Sequence, residues 1–499
     1  MKWLALLLVF LMSPAHAISV TNFNPADNAT GVAIDSNLVI TFDQSWNAGG
    51  GGYITIKDIN GTTFQSYDML YFPTEITGSG TNTLTINPSI SMAYSTSYYL
   101  LIDSGAVYDS YWYTTYSIAD TTTYNWTTES PATVDWYDTS YRYRQKITID
   151  NTKVDANLTD FPIYLNTDDL AAGFYTNAQA DCDDVRITKS DGTTEVPREI
   201  VFCDGSNGEI HFKATGTLSS SSDTDFYIYY GNPGASDYAI DATYGAENVW
   251  NSNYVAVWHN QEDPSGGAPQ ILDSTANDND LTSVGSMTSG DLVAGKLSGY
   301  ALDYDGSDDY LTITDNDTLD TPISQTISLW INTTNTAHGK AFLSKLAPGA
   351  GTSGGWSMNF NNAACTECAQ YLTYNGTSAV TNIVGSTDIS TGGWFMLHGV
   401  QEGSTRADLY VNGSNDGSDV STSGISRGTH PVNQASRGNT GTKIATKIDE
   451  ARIMSTNMTS TWISTEYNNQ SSSSTFYTAS AEEEAPVAPG RILFWWNGW

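Results

Sequence analysis

The sequence predicts an all-β protein built from β-sandwiches in series. Three observations predict it: short runs of alternating apolar residues recur along the chain, Gly, Asn, Asp and Pro punctuate them, and long helical patterns are scarce. At 499 residues the chain exceeds one ordinary core, so two to four domains are expected. Hydrophobic residues make up 39% and charged residues only 15%, which leaves solubility largely to Ser, Thr, Asn and Gly. Those residues favour strands, turns and caps.

The strand candidates follow in order. Leu38–Phe42, Tyr53–Ile56, Leu84–Ile86 and Tyr98–Ile102 come first. Next are Gln145–Ile149, Val185–Thr188 with the Asp191-Gly192 turn, and Asp225–Tyr230. The last group is Thr326–Ile331, Ala407–Val411 with the Asn412-Gly413 turn, and Lys447–Met454. Only Thr459–Asn468 reads as a helical turn or two. Composition loosens at a linker over 129–135, at an irregular bridge over 232–248, and in an acidic spacer and aromatic tail over 481–499.

The charge and the chain start narrow the function. Fifty-five acidic residues against 20 Lys and Arg give a formal charge of −35, which repels polyanions and so excludes nucleic acid and anionic membranes as partners. Lys2, the apolar run Trp3–Met12 and Ala15-His16-Ala17 read as an export signal over residues 1–17, with Ile18 as the mature start. The apolar run is too short to span a bilayer, and no membrane span is expected. A secreted or cell-surface location follows. There the four cysteines pair with least crossing as Cys182–Cys203 and Cys365–Cys368. The second pair is a C-x-x-C, for which redox or zinc chemistry is the alternative. No second C-x-x-C completes a zinc site, so a loop-stapling disulfide is the reading.

Three resemblances cover most of the mature chain. Asn24-Pro25-Ala26-Asp27-Asn28-Ala29-Thr30-Gly31-Val32, Asn37–Phe42, Tyr98–Asp109 and Asn125–Thr128 make residues 18–128 similar to bacterial immunoglobulin-like domains of surface-layer and adhesin proteins. That implies a sandwich used as a spacer or adhesive module. Where the family has a Gly-Asn turn after Asp109, this chain has Tyr111-Trp112-Tyr113. Trp136, Tyr143–Ile149, Leu158–Ile163, Asp184–Ile187, Pro197–Glu199 and Phe226–Pro233 make residues 136–235 resemble the domain of unknown function numbered 2341, a β-rich exported module. Tyr254–His259, Asp273-Ser274, Gly299–Leu311, Ile327–Ile331, Trp394–Val400, Leu409–Gly413, Ile448–Ile453 and Trp462–Tyr467 make residues 248–480 resemble the laminin-G-like, concanavalin A-like jelly rolls. This fold hosts lectins, spacers and glycanases alike.

Catalytic constellations are thin. A retaining glycanase of this sandwich class places two carboxylates at alternate positions of one strand. No Glu-x-Asp-x-Glu run occurs, and Asp449-Glu450 are adjacent, which in a regular strand aims them at opposite faces. Glu209-Ile210-His211 reads as exposed-strand alternation ahead of the alternative, a metal ligand. No His-Glu-x-x-His, Gly-x-Ser-x-Gly or phosphate loop is present.

A structural calcium ion is the expected cofactor. Asp273, Asp278 and Asp449 are the candidate ligands, because hard oxygen donors on sandwich loops suit calcium. For sugars the tool is an exposed aromatic face. The candidates are Tyr111, Trp112 and Tyr113 in the first domain, and Trp356, Tyr371 and Tyr374 near the cysteine loop. The tail Ile492–Trp499 carries three Trp and a Phe and reads as a docking segment, an interfacial contact or a truncated stub.

The expected function is non-catalytic adhesion or carbohydrate binding, with a glycan or cell-surface polysaccharide as partner. The alternative is a structural surface-layer, filament or virion-decoration subunit that associates with itself or with other surface proteins. An extracellular glycoside hydrolase ranks third.

Overall fold

A computed structural model describes residues 17–129, 135–321, 323–346, 354–361, 365, 367–376, 378–420, 426, 428–438 and 442–486. The expected leader up to residue 16 and the aromatic tail lie outside the described residues. Strands account for 46% of the described residues, so the all-β class holds. The chain divides into two compact units, residues 1–133 and 134–499.

The first unit is a two-sheet sandwich. One sheet orders Val20–Asn24, Leu38–Phe42, Thr83–Ile86 and Ile76–Thr77. The other is organised on the long strand Ser97–Asp109, which pairs with Tyr53–Asp58 and Asn125–Thr128, and near its end with Trp46–Ala48 and Thr115–Ile118. Leu38, Ile40 and Phe42 alternate inward along their strand and meet Ile54, Ile56, Leu100 and Trp126 from the opposite sheet in one core. Period-two patterning positions these side chains directly.

The second unit holds four sheets, and its parts interlock. Tyr143–Ile149 pairs with Thr224–Tyr230 on one side. On the other side it pairs with Tyr477–Ala479 and Glu483–Glu484, which arrive from more than three hundred residues later. A three-stranded sheet places Gly208–Leu218 between Leu158–Asn166 and Arg198–Cys203. The jelly roll consists of an eight-stranded and a seven-stranded sheet around a core of its own that includes Trp258, Leu329, Trp356 and Tyr371. A second core joins Ile147, Ile163, Phe212 and Ile228 to Trp250, Met454, Trp462, Ile463 and Phe476. The helix Ser460–Ser471, capped by the Thr459 hydroxyl accepting from the Trp462 amide, lays Trp462 and Ile463 into that core. The expected helical stretch is thus a 12-residue helix that joins the parts of this unit.

Both cysteine pairs are disulfides, Cys182–Cys203 and Cys365–Cys368.

Candidate functional site

In the first unit the turn after the strand Ser97–Asp109 carries the sugar-binding candidates. Tyr111, Trp112 and Tyr113 are 72%, 55% and 73% exposed. The buried carboxylate of Asp109 shapes this turn. Its Oδ1 accepts from the amides of Tyr111 (2.9 Å) and Tyr113 (3.0 Å), and its Oδ2 from the amide (2.9 Å) and hydroxyl (2.6 Å) of Thr114. Burial alone would raise the Asp109 pKa, but these four donors hold it below the usual aspartate value. Trp112 takes a left-handed backbone (φ 65°) and lays its ring 5.4 Å from Tyr108. The rings of Tyr111 and Tyr113 stand 6.4 Å apart and within 20° of parallel.

The jelly-roll aromatics require a correction. Trp356 and Tyr371, expected near a sugar, are 2% and 0% exposed, and neither ring face is open to a ligand. Their strands, Gly355–Asn361 and Cys368–Tyr374, lie inside the seven-stranded sheet, and the alternation that would have aimed them outward aims them into the core. The Tyr371 hydroxyl accepts from Gln325 Nε2 at 2.9 Å. Tyr374, at the strand end, is half-buried.

The three calcium candidates do not share a site. Asp273 is saturated: Oδ1 accepts from the amides of Val257 and Thr275, and Oδ2 from the Thr275 hydroxyl and the Asn279 amide. Four donors use the lone pairs that a cation would need. Asp278 is an exposed turn residue with φ 52°. Asp449 is fully buried and accepts from the amides of Lys296 (2.7 Å) and Leu297 (3.2 Å). Among the described residues none of the three belongs to a cluster of metal-ligating side chains.

Burial pushes the Asp273 carboxyl up to about 6, against its four hydrogen bonds. A carboxyl raised on folding destabilises as it ionises. Its contribution is therefore most favourable below pH 4 and is lost as pH rises through about 6, a change of about 3 kcal/mol. Asp273→Asn is expected to flatten the pH dependence of stability between pH 4 and 7 relative to the wild type. Urea unfolding at intervals across that range measures the slope; an unchanged slope would refute the assignment.

The densest chemistry lies where the three-stranded sheet faces the jelly roll. Glu209 and His211, two residues apart on Gly208–Leu218, point to the same side and are fully buried, which corrects their reading as an exposed alternation. Glu199 lies across from His211 on the neighbouring strand. Opposite them stand His259, just after the strand Tyr254–Trp258, and Glu450 and Arg452 on Ala445–Met454. Glu450 contacts both His259 Nδ1 and Arg452 Nη2, and Arg452 Nη1 donates to Glu466 Oε1 at 2.5 Å. Glu466 also meets His398 Nε2 at 3.0 Å.

Electrostatics sorts these groups. Burial, and after it Glu450, drives the Glu209 carboxyl well above its ordinary value. Burial takes the His211 imidazole well below its own. Burial would do the same to His259, but Glu450 and Glu199 carry it well above. Burial would raise Glu450, but His259 and Arg452 hold it well below.

The adjacency of Asp449 and Glu450 misleads because the strand bulges there. Ser328 pairs with Arg452 and Trp330 with Asp449, so Glu450 and Ala451 face the single residue Leu329. Glu450 takes φ 53°. The bulge breaks the period of two and brings both carboxylates to act on Glu209. Glu209, His211, His259 and Glu450 thus form a group that sequence reasoning missed. Glu-x-His on one strand was the available signal.

A cavity of about 280 Å³ reaches this cluster. Glu199, His259, Gln261 and Glu262 supply its polar wall, and Phe202 and Leu272 its apolar one. Glu262 Oε1 accepts from the Leu272 amide at 3.1 Å, and burial raises the carboxyl.

No curated protein matches the chain. The binding domain of Paraclostridial Mosquitocidal Protein 1 aligns with 43% of this chain at 16% identity and a TM-score of 0.33, and 52% of that structure is spanned. The botulinum neurotoxin serotype C1 binding domain aligns with 44% at 15% identity and a TM-score of 0.34, again over 52% of its length. Domain 4 of an extracellular arabinanase from Geobacillus stearothermophilus, solved with arabinotriose, aligns with 43% at 15% identity and a TM-score of 0.34, over 98% of its length. The chain therefore spans about half the length of the toxin binding domains. Among the described residues no helix is long and apolar enough to cross a membrane. Residues 14–128 match the bacterial Ig-like domain and residues 305–464 match the concanavalin A-like lectin/glucanases superfamily, so the chain joins an Ig-like sandwich to a laminin G-type jelly roll.

Proposed function

We propose that this is an exported, surface-exposed protein that binds carbohydrate without cleaving it, and that the turn Tyr111-Trp112-Tyr113 is its principal contact. The observation that carries the reading is the Asp109-anchored tip. Large aromatic rings left in water forgo burial worth about 1.5–3 kcal/mol each, and a slack loop would fold them inward. Here four hydrogen bonds to one buried carboxylate fix the backbone that presents them. The C–H faces of a pyranose stack on such rings. A pre-set platform also avoids the ordering cost of binding. The match of residues 305–464 to the lectin/glucanase superfamily supports a glycan as ligand class.

The test is a polysaccharide and glycan array probed with the chain from Ile18 onward, in calcium and in EDTA. Retention on a defined glycan is expected, with no release of reducing ends. The triple variant Tyr111→Ala, Trp112→Ala, Tyr113→Ala is expected to lose affinity by roughly tenfold to a hundredfold, the range for a central aromatic anchor. Its unfolding temperature should not change. Wild-type protein that binds no glycan, or a triple variant that binds equally well, would refute the proposal.

A further inference from the structure

Two strand residues and two jelly-roll residues bring four ligand-type side chains to one point in the second unit. One donor atom each from Glu209, His211, His259 and Glu450 lies within 4.8 Å of all the others. Glu209 Oε1 is 3.2 Å from His211 Nε2 and 3.7 Å from His259 Nδ1, and His211 Nε2 is 3.9 Å from Glu450 Oε2. Bonds of about 2.0–2.1 Å to a tetrahedral metal set its ligand atoms about 3.3–3.4 Å apart, near these three separations, whereas His259 Nδ1 and Glu450 Oε1 are in direct contact and part to admit an ion. A buried mixed nitrogen and oxygen set of this kind, reached by the cavity that His259 lines, differs from an exposed acidic patch.

Metal ligands are typically fixed through their outward atoms by a second ring of partners. The other ring nitrogen of His259 meets Glu199 Oε2 at 3.4 Å, and Trp250 Nε1 donates to that oxygen at 2.7 Å. The other oxygen of Glu209 accepts from Gln261 Nε2 at 3.1 Å. Glu450 is engaged on both oxygens, Oε1 by His259 Nδ1 and Oε2 by Arg452 Nη2. Of the four, His211 is the one whose outward nitrogen lacks a hydrogen-bond partner, and its ring lies 5.4 Å from Trp250. Beside the group, Asp449 Oδ1 is buried and accepts no hydrogen bond. Glu199, Glu209, Asp449, Glu450 and Glu466 are all buried, with Arg452, His211, His259 and His398 set among them. A doubly charged ion coordinated by two carboxylates and two neutral imidazoles makes a centre without net charge, which burial favours.

We propose that Glu209, His211, His259 and Glu450 bind one first-row transition-metal dication, zinc before the others, in a closed tetrahedral centre. Two imidazole nitrogens select zinc, cobalt or nickel over calcium and magnesium, which take oxygen ligands. Four protein ligands leave no open position, so the centre is structural. It clamps the strand Gly208–Leu218 to the jelly roll, with two ligands from each side. This inference concerns the second unit and does not rest on the glycan reading of the first.

The experiment uses the chain from Ile18 onward, stripped with EDTA and returned to metal-free buffer. Zinc titrated calorimetrically is expected to bind with one equivalent and to raise the unfolding temperature by about 5–10 °C at saturation. Cobalt is expected to give the strong visible absorption of a tetrahedral site. His211→Ala should abolish both signals, and His338→Ala, a residue remote from the cluster in sequence and exposed, should leave them unchanged. Should His211→Ala fail to fold, the size-conserving Glu209→Gln replaces it and is expected to weaken zinc binding at least tenfold. The proposal is overturned by folded wild-type protein that takes up less than a tenth of an equivalent of zinc or cobalt. It is equally overturned by weak octahedral cobalt bands, by uptake of calcium alone, or by zinc binding unchanged in the variants.

Discussion

Replacing Arg452 with methionine is expected to cost the second unit about 3–5 kcal/mol at pH 7, the range for leaving a buried ion pair half-broken. Arg452 is fully buried, bridges Glu450 and Glu466, and lies 4.9 Å from the centre of the Trp250 ring. Methionine fills much of the space but leaves Glu450 with His259 and Glu466 with His398, and removes the guanidinium that joined them. The pH dependence should also reverse. In the wild type burial would raise the Glu466 carboxyl, but Arg452 first and then His398 hold it below its ordinary value of 4.5. A depressed carboxyl stabilises above its unfolded value, and that contribution is lost as pH falls through the folded one. Without Arg452 burial dominates and the folded value moves above the unfolded one, so the deficit should shrink as pH is lowered from 7 toward 5. Urea unfolding at the two pH values measures this. A variant within 1 kcal/mol of the wild type, or a deficit that grows on acidification, would contradict the bridging role.

The second large effect concerns what folds alone. Residues 136–235 expressed by themselves are expected to be unfolded or aggregated, whereas residues 135–486 should fold with a single cooperative transition. Among the described residues the strand Tyr143–Ile149 finds its outer partners in Tyr477–Ala479 and Glu483–Glu484, with Ile147 opposite Ala479 and Ile149 opposite Tyr477. Without those partners the strand exposes an unpaired edge, a template for aggregation. The core over Ile147, Phe212 and Ile228 is completed by Trp250, Met454, Trp462, Ile463 and Phe476. Removing them strips large side chains whose burial contributes about 1.5–3 kcal/mol each, more in sum than a small domain's whole net stability. A dispersed amide spectrum and a sharp thermal transition for residues 136–235 would overturn this expectation.

The sequence by itself determined the all-β class, because alternation such as Leu38, Ile40 and Phe42 is a local property of an extended chain and its burial follows from the period of two. It also determined both disulfides, since few pairings connect four cysteines, and the aromatic tip, since a turn with three consecutive rings has little room to hide them. Tertiary structure alone decided the rest. Trp356 and Tyr371 look no different in sequence from exposed platform residues until the opposite sheet of the jelly roll closes over the face they occupy. Asp273 looks like a calcium ligand until four donors from Val257, Thr275 and Asn279 occupy it. Glu209 and His211 became a buried site because the jelly roll closes over their face, and Glu450 joined them because a bulge interrupted the alternation its neighbours obey. Pattern reports which face a side chain takes; only packing reports what stands opposite, and charge burial depends on that opposite face.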